Sequence, residues 1–380
     1  MCGLFGYIGS DKDQNFLLPF FQRVAHRGPD YSELKQITED ISFGFHRLAI
    51  NGLNTQSNQP MEMDGIHLVA NAEIYNYREL ATTHEFHLES DSDCEVILHL
   101  YKAFGIEKTV KLLDAEFAFL LFDSHKDVTY AARDHLGVRG LYIGKSDDAV
   151  GFASEAKALT FMDQLDQFPP GHFWSSDAPQ SFNKWYAHDY PLHKDQSEAF
   201  ILDGIRTHLT AAVKKRLMSE RKVGCLLSGG LDSSLIAALV AKHYDGELET
   251  FSIGLEGSPD LAAAQIVADH IGSTHHSVQL TEADFISAIE ETVYQLGSFD
   301  VTTVRASVGH MLISKYVRDH SDVKVLFTGE TADEMGSYLY FQQAPDASAF
   351  QLEAVRLLED IHYFDMLRGD RSISSAGLEG

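Results

Sequence analysis

Cysteine is scarce in this chain of 380 residues, with Cys2, Cys94 and Cys225 its only three. Their wide separation fits neither a disulfide framework nor a zinc-binding spacing, so each thiol is read alone. Basic residues are also few: 30 Lys and Arg face 56 Asp and Glu, for a formal charge of −26. A nucleic-acid partner needs a basic face, and none stands out, so the excess acid reads as a solvated surface. No apolar run is long enough to span a bilayer, and the opening MCGLFGYIG has no basic leader region. Neither a membrane helix nor a secretory signal is expected, and the expected location is cytoplasmic. Repeats and low-complexity tracts are absent too. Histidine is plentiful, at 19. Yet His84-Glu85-Phe86-His87 has the wrong spacing for a zinc-protease helix, and His275-His276 falls in an expected strand where neighbouring side chains diverge.

An apolar content of 44%, with aromatics 11% of the chain, is that of a globular protein long enough for two cores. The first part reads as short strands, at 43–50, 66–72, 117–123, 128–132 and 150–153, with helices at 16–24 and 94–103. Many short strands and few helices imply sandwiched sheets flanked by helices. Between 168 and 197 the composition turns to Pro-Pro-Gly, Ser-Ser-Asp and Asp-Tyr-Pro-Leu-His-Lys-Asp, which places a domain junction near 195. Beyond it helices are expected at 198–217, 233–244, 260–271, 283–296 and 305–319, and strands at 223–227, 249–254, 274–279 and 323–327. That alternation implies a parallel sheet covered on both faces. Domains 1–195 and 196–380 follow.

Cys2 follows the initiator Met1 directly. Removal of Met1 would leave one residue with both a thiol and a free α-amine. The amine's ordinary pKa of about 7.7–8.0 lies just below the thiol's, about 8.5, so proton exchange between them is nearly balanced. A separate histidine base is then unnecessary. By itself the position is weak evidence and reads first as that of a small buried residue.

The surrounding blocks carry more weight. Cys2-Gly3, His26-Arg27-Gly28-Pro29-Asp30, His46-Arg47-Leu48-Ala49-Ile50, Asn71-Ala72-Glu73-Ile74-Tyr75-Asn76 and Ser92-Asp93-Cys94-Glu95-Val96 occur in order, followed by Arg133-Asp134-His135-Leu136-Gly137 and 152–159. Together they resemble a class II glutamine amidotransferase over essentially the whole first domain. The resemblance implies an Ntn-hydrolase-type α-β-β-α sandwich in which Cys2 attacks the glutamine amide and forms a thioester. It implies that Arg47 holds the substrate carboxylate, that Glu73 and Asp93 hold its α-amine, and that Asn71 and the backbone N–H of Ala72 meet the oxyanion. Ala72 stands where the family usually has Gly, and Gly140 where it usually has Pro.

In the second domain an apolar strand runs through Leu226-Leu227 into Ser228-Gly229-Gly230-Leu231-Asp232-Ser233-Ser234 and then a helix. A glycine turn at a helix N-terminus presents backbone N–H groups to a phosphate. A Walker loop would have a lysine here, and this one does not, so γ-phosphoryl transfer is disfavoured. The loop resembles that of enzymes that split ATP between its α and β phosphates.

Further blocks, Thr250 to Leu255 with Gly257-Ser258-Pro259-Asp260, Asp300-Val301-Thr302-Thr303-Val304-Arg305-Ala306-Ser307, and Thr328-Gly329-Glu330-Thr331-Ala332-Asp333-Glu334, resemble the asparagine synthetase family. The resemblance implies a doubly wound parallel-sheet domain of ATP-pyrophosphatase type. It assigns ATP to Leu227, Ser228, Gly229, Gly230, Asp232, Ser233, Ile253, Thr328 and Gly329. Aspartate goes to Thr302, Thr303, Arg305 and Glu330, and Mg2+ to Asp232 and Asp333.

This chain departs from the pattern at Thr328 for Ser, at Thr331 for Gly, and in a shortened stretch Met335-Gly336-Ser337-Tyr338. Its late block, Arg368, Arg371, Ser372, Ser375 and Gly377-Leu378-Glu379, stops at Gly380, where the family continues into a helical region with a charge-stabilising lysine. A fragment or a short form is expected on that ground. The expected reaction is amidation of ATP-activated aspartate with nitrogen from glutamine. The alternatives are a glutaminase or ligand-binding module without synthetase activity, and an amidotransferase for another carboxylate. The partners are then small molecules, and the oligomeric state stays open, a homodimer included.

Overall fold

The strand Ile41–Arg47 is buried along its whole length because each face meets a different layer. Ile41, Phe43 and Phe45 point toward a second sheet, while Gly44 and His46 lie against Phe21 on the other side. This pattern sets the first half of the chain, seen here in a computed structural model that describes residues 1–190, 195–335 and 338–380, without the side chains of 335 and 365–367. The chain forms two compact units: Met1–Ala187 with Ile373–Glu379, and His188–Ser372 with Gly380.

The first unit holds two antiparallel six-stranded sheets. One runs Gln164–Gln167, Tyr142–Ser146, Ala149–Ala153, Gly3–Ile8, Ile41–Arg47, Tyr31–Gln36 in spatial order; the other runs Phe182–Lys184, His172–Ser175, Val128–Arg133, Ala115–Asp123, Ile66–Ile74, Met61–Met63. Between them Phe43, Phe45, Leu120, Phe152 and Trp174 interdigitate, each worth about 1.5–3 kcal/mol of burial. Leu17 and Phe21 of the helix Gln14–Phe21 cover the first sheet from outside. Ile97, Leu100 and Tyr101 of the helix Val96–Phe104 cover the second. The result is an α-β-β-α sandwich.

The second unit is built on four parallel strands ordered Thr274–Leu280, Glu249–Leu255, Val223–Leu226, Val325–Phe327. Along Glu249–Leu255 adjacent side chains take opposite faces. Gly254 abuts Leu261 of the helix Pro259–Ile271, whereas Ile253 lies beside Gly309 of the helix Val301–His320. Helices therefore cover both faces, as in a doubly wound sheet. The order reverses between Val223–Leu226 and Val325–Phe327, and open parallel sheets bind ligands at the carboxyl ends of strands beside such a reversal.

Sequence and structure divide the chain differently at its end. Residues 373–379, expected in the second domain, cluster with the first unit. The physical reason is buried polar pairing: Arg27 donates to Ser374 Oγ at 3.1 Å, and Arg139 pairs with Glu379. Residues 191–194 of the expected junction, and Gly336 and Ser337 of the shortened stretch, lie outside the described residues.

Candidate active sites

In the first unit, Cys2 precedes the strand Gly3–Ile8, which leaves its half-buried thiol beside the end of Ile41–Arg47. The Leu48 N–H donates to Sγ at 3.4 Å, and Sγ lies 3.6 Å from the Leu48 carbonyl. Burial raises the thiol's pKa, opposed by the nearby N-terminal ammonium. At neutral pH the sulfur is thus protonated and needs a base to react. The Cys2 backbone N donates to Asn71 Oδ1 at 3.0 Å, and the buried Arg27 donates through Nε to the Cys2 carbonyl at 2.8 Å. Asn71 Nδ2 is buried with no hydrogen-bond partner. An orphaned buried donor beside a nucleophile is the arrangement that an oxyanion would complete.

Asn71, Ala72 and Glu73 all lie on Ile66–Ile74, and Ala72 pairs with Phe117 in ordinary extended register. Its φ is not among the positive values, so alanine in place of glycine imposes no left-handed strain here. Gly140 likewise shows no positive φ. Glu73 and Asp93 are both buried. Burial raises Glu73 well above the usual carboxyl range, with Asp93 as the next cause. Burial pushes Asp93 up to about 6, against the pull of the Ile74 N–H, which donates to it at 2.7 Å. Asn51 Nδ2 donates to Glu73 at 2.9 Å. Two buried carboxylates with raised pKa values form a place where an ammonium is welcome.

Arg47 is more heavily engaged than its role in the resemblance suggests. Its guanidinium donates to the Asn54 carbonyl at 3.0 Å, to Asn58 Oδ1 at 2.6 Å, to the Asn51 carbonyl at 3.2 Å and to the Gly52 carbonyl. It thus ties down the 51–58 loop that carries Asn51 toward Glu73. Sequence reading had no role for Asn51 or Asn58, and amide residues in a loop offer no pattern by which to find them.

In the second unit a cleft of about 320 Å³ opens at the strand-order reversal. Leu227, Ser228, Gly230, Asp232, Ser233, Ile253, Thr328, Gly329, Glu330 and Asp333 line it, so the sequence-predicted nucleotide residues converge, with Gly229 shaping the turn beneath them. Gly229 has φ +79, and a Cβ there would come within 2.5 Å of the Ala263–Ala264 backbone. Ser233 Oγ accepts from the Ser228 N–H at 3.2 Å and lies 2.9 Å from Ser228 Oγ. A Cβ on Gly329 would stand 2.7 Å from Ser233 N, so this glycine lets the second loop reach the helix N-terminus of Leu231–His243.

Asp333 has its pKa raised by desolvation and then by Asp232, Glu334 and Glu330. That crowding of negative charge is what a hard cation relieves, so Asp232 and Asp333 fit the implied Mg2+. Among the described residues no group of three or more His, Cys, Asp or Glu is gathered to hold a metal.

Glu330 Oε1 lies 3.3 Å from His310 Nε2, and Oε2 accepts from Arg368 Nε at 2.9 Å. His310 and Ile313, a turn apart on Val301–His320, face the cleft, whereas Thr302, Thr303 and Arg305 do not line it. Thr303 is buried with its N–H on the capping carboxylate of Asp300 at 2.7 Å; Thr302 and Arg305 are exposed. A single histidine in a helix gives no sequence signal, and Arg368 stood in a matched block without a role.

The family profile described as "Asparagine synthase" matches residues 204–379, and the profile described as "Glutamine amidotransferase domain" matches 1–183. A Gallus gallus protein named asparagine synthetase [glutamine-hydrolyzing] is 39% identical over 416 residues, spanning 100% of this chain and 74% of its own. The Homo sapiens protein of the same name is 38% identical over 415 residues with the same coverage. Among solved structures, glutamine phosphoribosylpyrophosphate amidotransferase from B. subtilis, complexed with ADP and GMP, aligns with a TM-score of 0.43 at 16% identity, covering 87% of this chain and 82% of that one.

Proposed function

From the premise that this chain belongs to the glutamine-hydrolysing asparagine synthetase family, we propose a residue-level account of how it moves nitrogen from glutamine to aspartate. The reaction is glutamine-dependent asparagine synthesis: glutamine supplies ammonia, ATP activates aspartate, and asparagine forms.

With Met1 removed, the α-amine of Cys2 takes the thiol proton, and the thiolate attacks the glutamine amide carbon. The negative oxygen that develops is met by Asn71 Nδ2 and by the Ala72 N–H. Collapse, with the α-ammonium giving its proton to the departing nitrogen, expels ammonia and leaves a thioester, which water then hydrolyses to glutamate and the free thiol. Glu73 and Asp93 receive the substrate ammonium, and Arg47 its carboxylate, once the loop carbonyls release part of the guanidinium.

In the second unit the loop of Ser228, Gly229, Gly230 and Ser233 cradles the ATP phosphates, Leu227 and Ile253 border the base, and Thr328 and Gly329 close the opposite side. Mg2+ at Asp232 and Asp333 would neutralise the polyphosphate. The aspartate carboxylate attacks the α-phosphorus, pyrophosphate leaves, and ammonia displaces AMP from the acyl-adenylate. Thr302, Thr303 and Arg305 belong to the acceptor pocket only if the start of their helix moves toward the cleft, whereas Glu330 already borders it. A cytoplasmic location belongs to the same reading, which leaves the oligomeric state open, a homodimer included.

The observation that carries the account is the orphaned Asn71 donor beside the Cys2 thiol. The test is to incubate the protein with glutamine, aspartate and MgATP and to measure glutamate, asparagine and AMP. Cys2→Ala should abolish glutamate release while asparagine still forms from ammonia. Glutamate release that survives in the variant overturns the nucleophile, and glutamate without asparagine or AMP reduces the chain to a glutaminase.

A further inference from the structure

Glu330 faces a cleft rich in its own charge: Asp232, Asp260, Asp333 and Glu334 line the same space. A carboxylate in such company turns away from its neighbours unless something fixes it. Here each oxygen has its own donor, Oε2 from Arg368 and Oε1 from the ring of His310. The two donors come from separate elements, the helix Val301–His320 and the helix Asp365–Ser374.

The tautomer of His310 follows from its surroundings. An ionised carboxylate only accepts hydrogen bonds, so the nitrogen 3.3 Å from Oε1 has to carry a hydrogen. The other nitrogen, Nδ1, is buried without a partner. Were Nδ1 the protonated one, a buried N–H would be stranded while a lone pair faced a carboxylate. With the proton on Nε2, only a weak acceptor goes unmatched. Burial lowers the ring's pKa, more than the Glu330 charge restores, which keeps it neutral and leaves it this single choice.

We propose that His310 is a positioning residue for the acceptor pocket, holding Glu330 through an Nε2–H bond so that its carboxylate meets the acceptor's ammonium. The inference rests on the synthetase reading above. His310 itself touches neither ATP phosphate nor reacting carbon in this scheme; it acts through Glu330. Arg368 alone leaves the carboxylate free to swing about the Arg–Oε2 contact, and the second donor removes that freedom.

The test compares His310→Met, which removes the donor, with His310→Gln, whose amide nitrogen reaches the place of Nε2. Aspartate binding is measured by titration calorimetry on the full chain with MgATP present. Loss of one charge-assisted hydrogen bond weakens aspartate roughly tenfold in His310→Met. His310→Gln should recover most of that loss. Equal affinity in His310→Met and the unaltered chain overturns the proposal, as does equal weakening in both variants, which would mark a packing role. A second readout is independent of aspartate: the ring nitrogens of His310 in the 15N spectrum of the full chain. An Nε2–H signature supports the proposal, and a proton on Nδ1 overturns it. Failure of the unaltered chain to bind aspartate would sink the synthetase reading instead, and the ring spectrum would still decide the His310–Glu330 bond.

Discussion

In the proposed scheme Asp93 combines a structural cost with a binding role. Because burial raises its pKa from 3.8 to about 6, the folded chain holds this proton in a window where the unfolded chain has lost it. The sign is therefore opposite to that of a salt-bridged aspartate: ionisation removes stability as pH rises between those values, and the whole cost is present above about 6. In that scheme glutamine's ammonium offsets the cost, but only when the carboxyl is ionised. Initial-rate measurements should show the KM for glutamine falling as pH rises through about 6. Asp93→Asn should flatten this limb and raise KM roughly tenfold. A pH-independent KM in the unaltered chain would remove Asp93 from the site. His46 was quoted in a matched block but is structural: it is stacked on Phe21 at 3.8 Å, with Nε2 3.0 Å from the Phe21 carbonyl, and burial lowers it to about 4. Residue identity alone could not separate His46 from a catalytic histidine, because what decides is how many of its ring atoms are already satisfied.

At the scale of elements, the long strands were legible because burial writes apolar residues into them. The stretch expected at 66–72 is Ile66–Ile74, and that expected at 117–123 is Ala115–Asp123. Met61–Met63, Gln164–Gln167 and Phe182–Lys184 were not legible, being short edge pieces with few core side chains. The helix expected from 305 begins at Val301, since the Asp300 cap outweighs the poor helical propensity of the β-branched run that follows. In the loop after Val325–Phe327 two residues have opposite needs. Gly329 is required by the close approach of Ser233, so Gly329→Ala should separate the loops and weaken ATP binding about tenfold or more in fluorescence titration. Thr331 sits at φ +72, a costly conformation for a β-branched residue, at the place where the family pattern has glycine. Thr331→Gly should raise unfolding free energy by about 1 kcal/mol in denaturant titration. A loss of stability there would mean that the threonine side chain makes a compensating contact.

For the whole molecule, both candidate sites lay in the sequence as ordered blocks, because loops at strand ends are built from short runs of contiguous residues. The polar contacts between distant segments did not. Arg139, buried between Glu116 at 3.3 Å and Glu379, joins residues that no local pattern relates. With Met1 still in place, its ammonium, 2.6 Å from Glu379 Oε2 and 3.1 Å from the Leu378 carbonyl, is equally non-local. Alternation of helix and strand can show a parallel sheet, but not which unit the last turn of chain will join.

That last turn makes the glutaminase half a discontinuous domain. Excising residues 1–187 as a free-standing protein would take the Glu379 ion pair from the buried Arg139 guanidinium, leaving its pair with Glu116, and strip Arg27 of its Ser374 contact. Losing one partner of a buried ion pair costs about 3 kcal/mol or more. The excised piece should melt early, and a synthetic octapeptide of residues 373–380 should rescue it by fragment complementation, visible as a peptide-dependent rise in melting temperature. Anyone dissecting this protein by deletion would therefore see an end-of-chain lesion register first as a defect at its beginning.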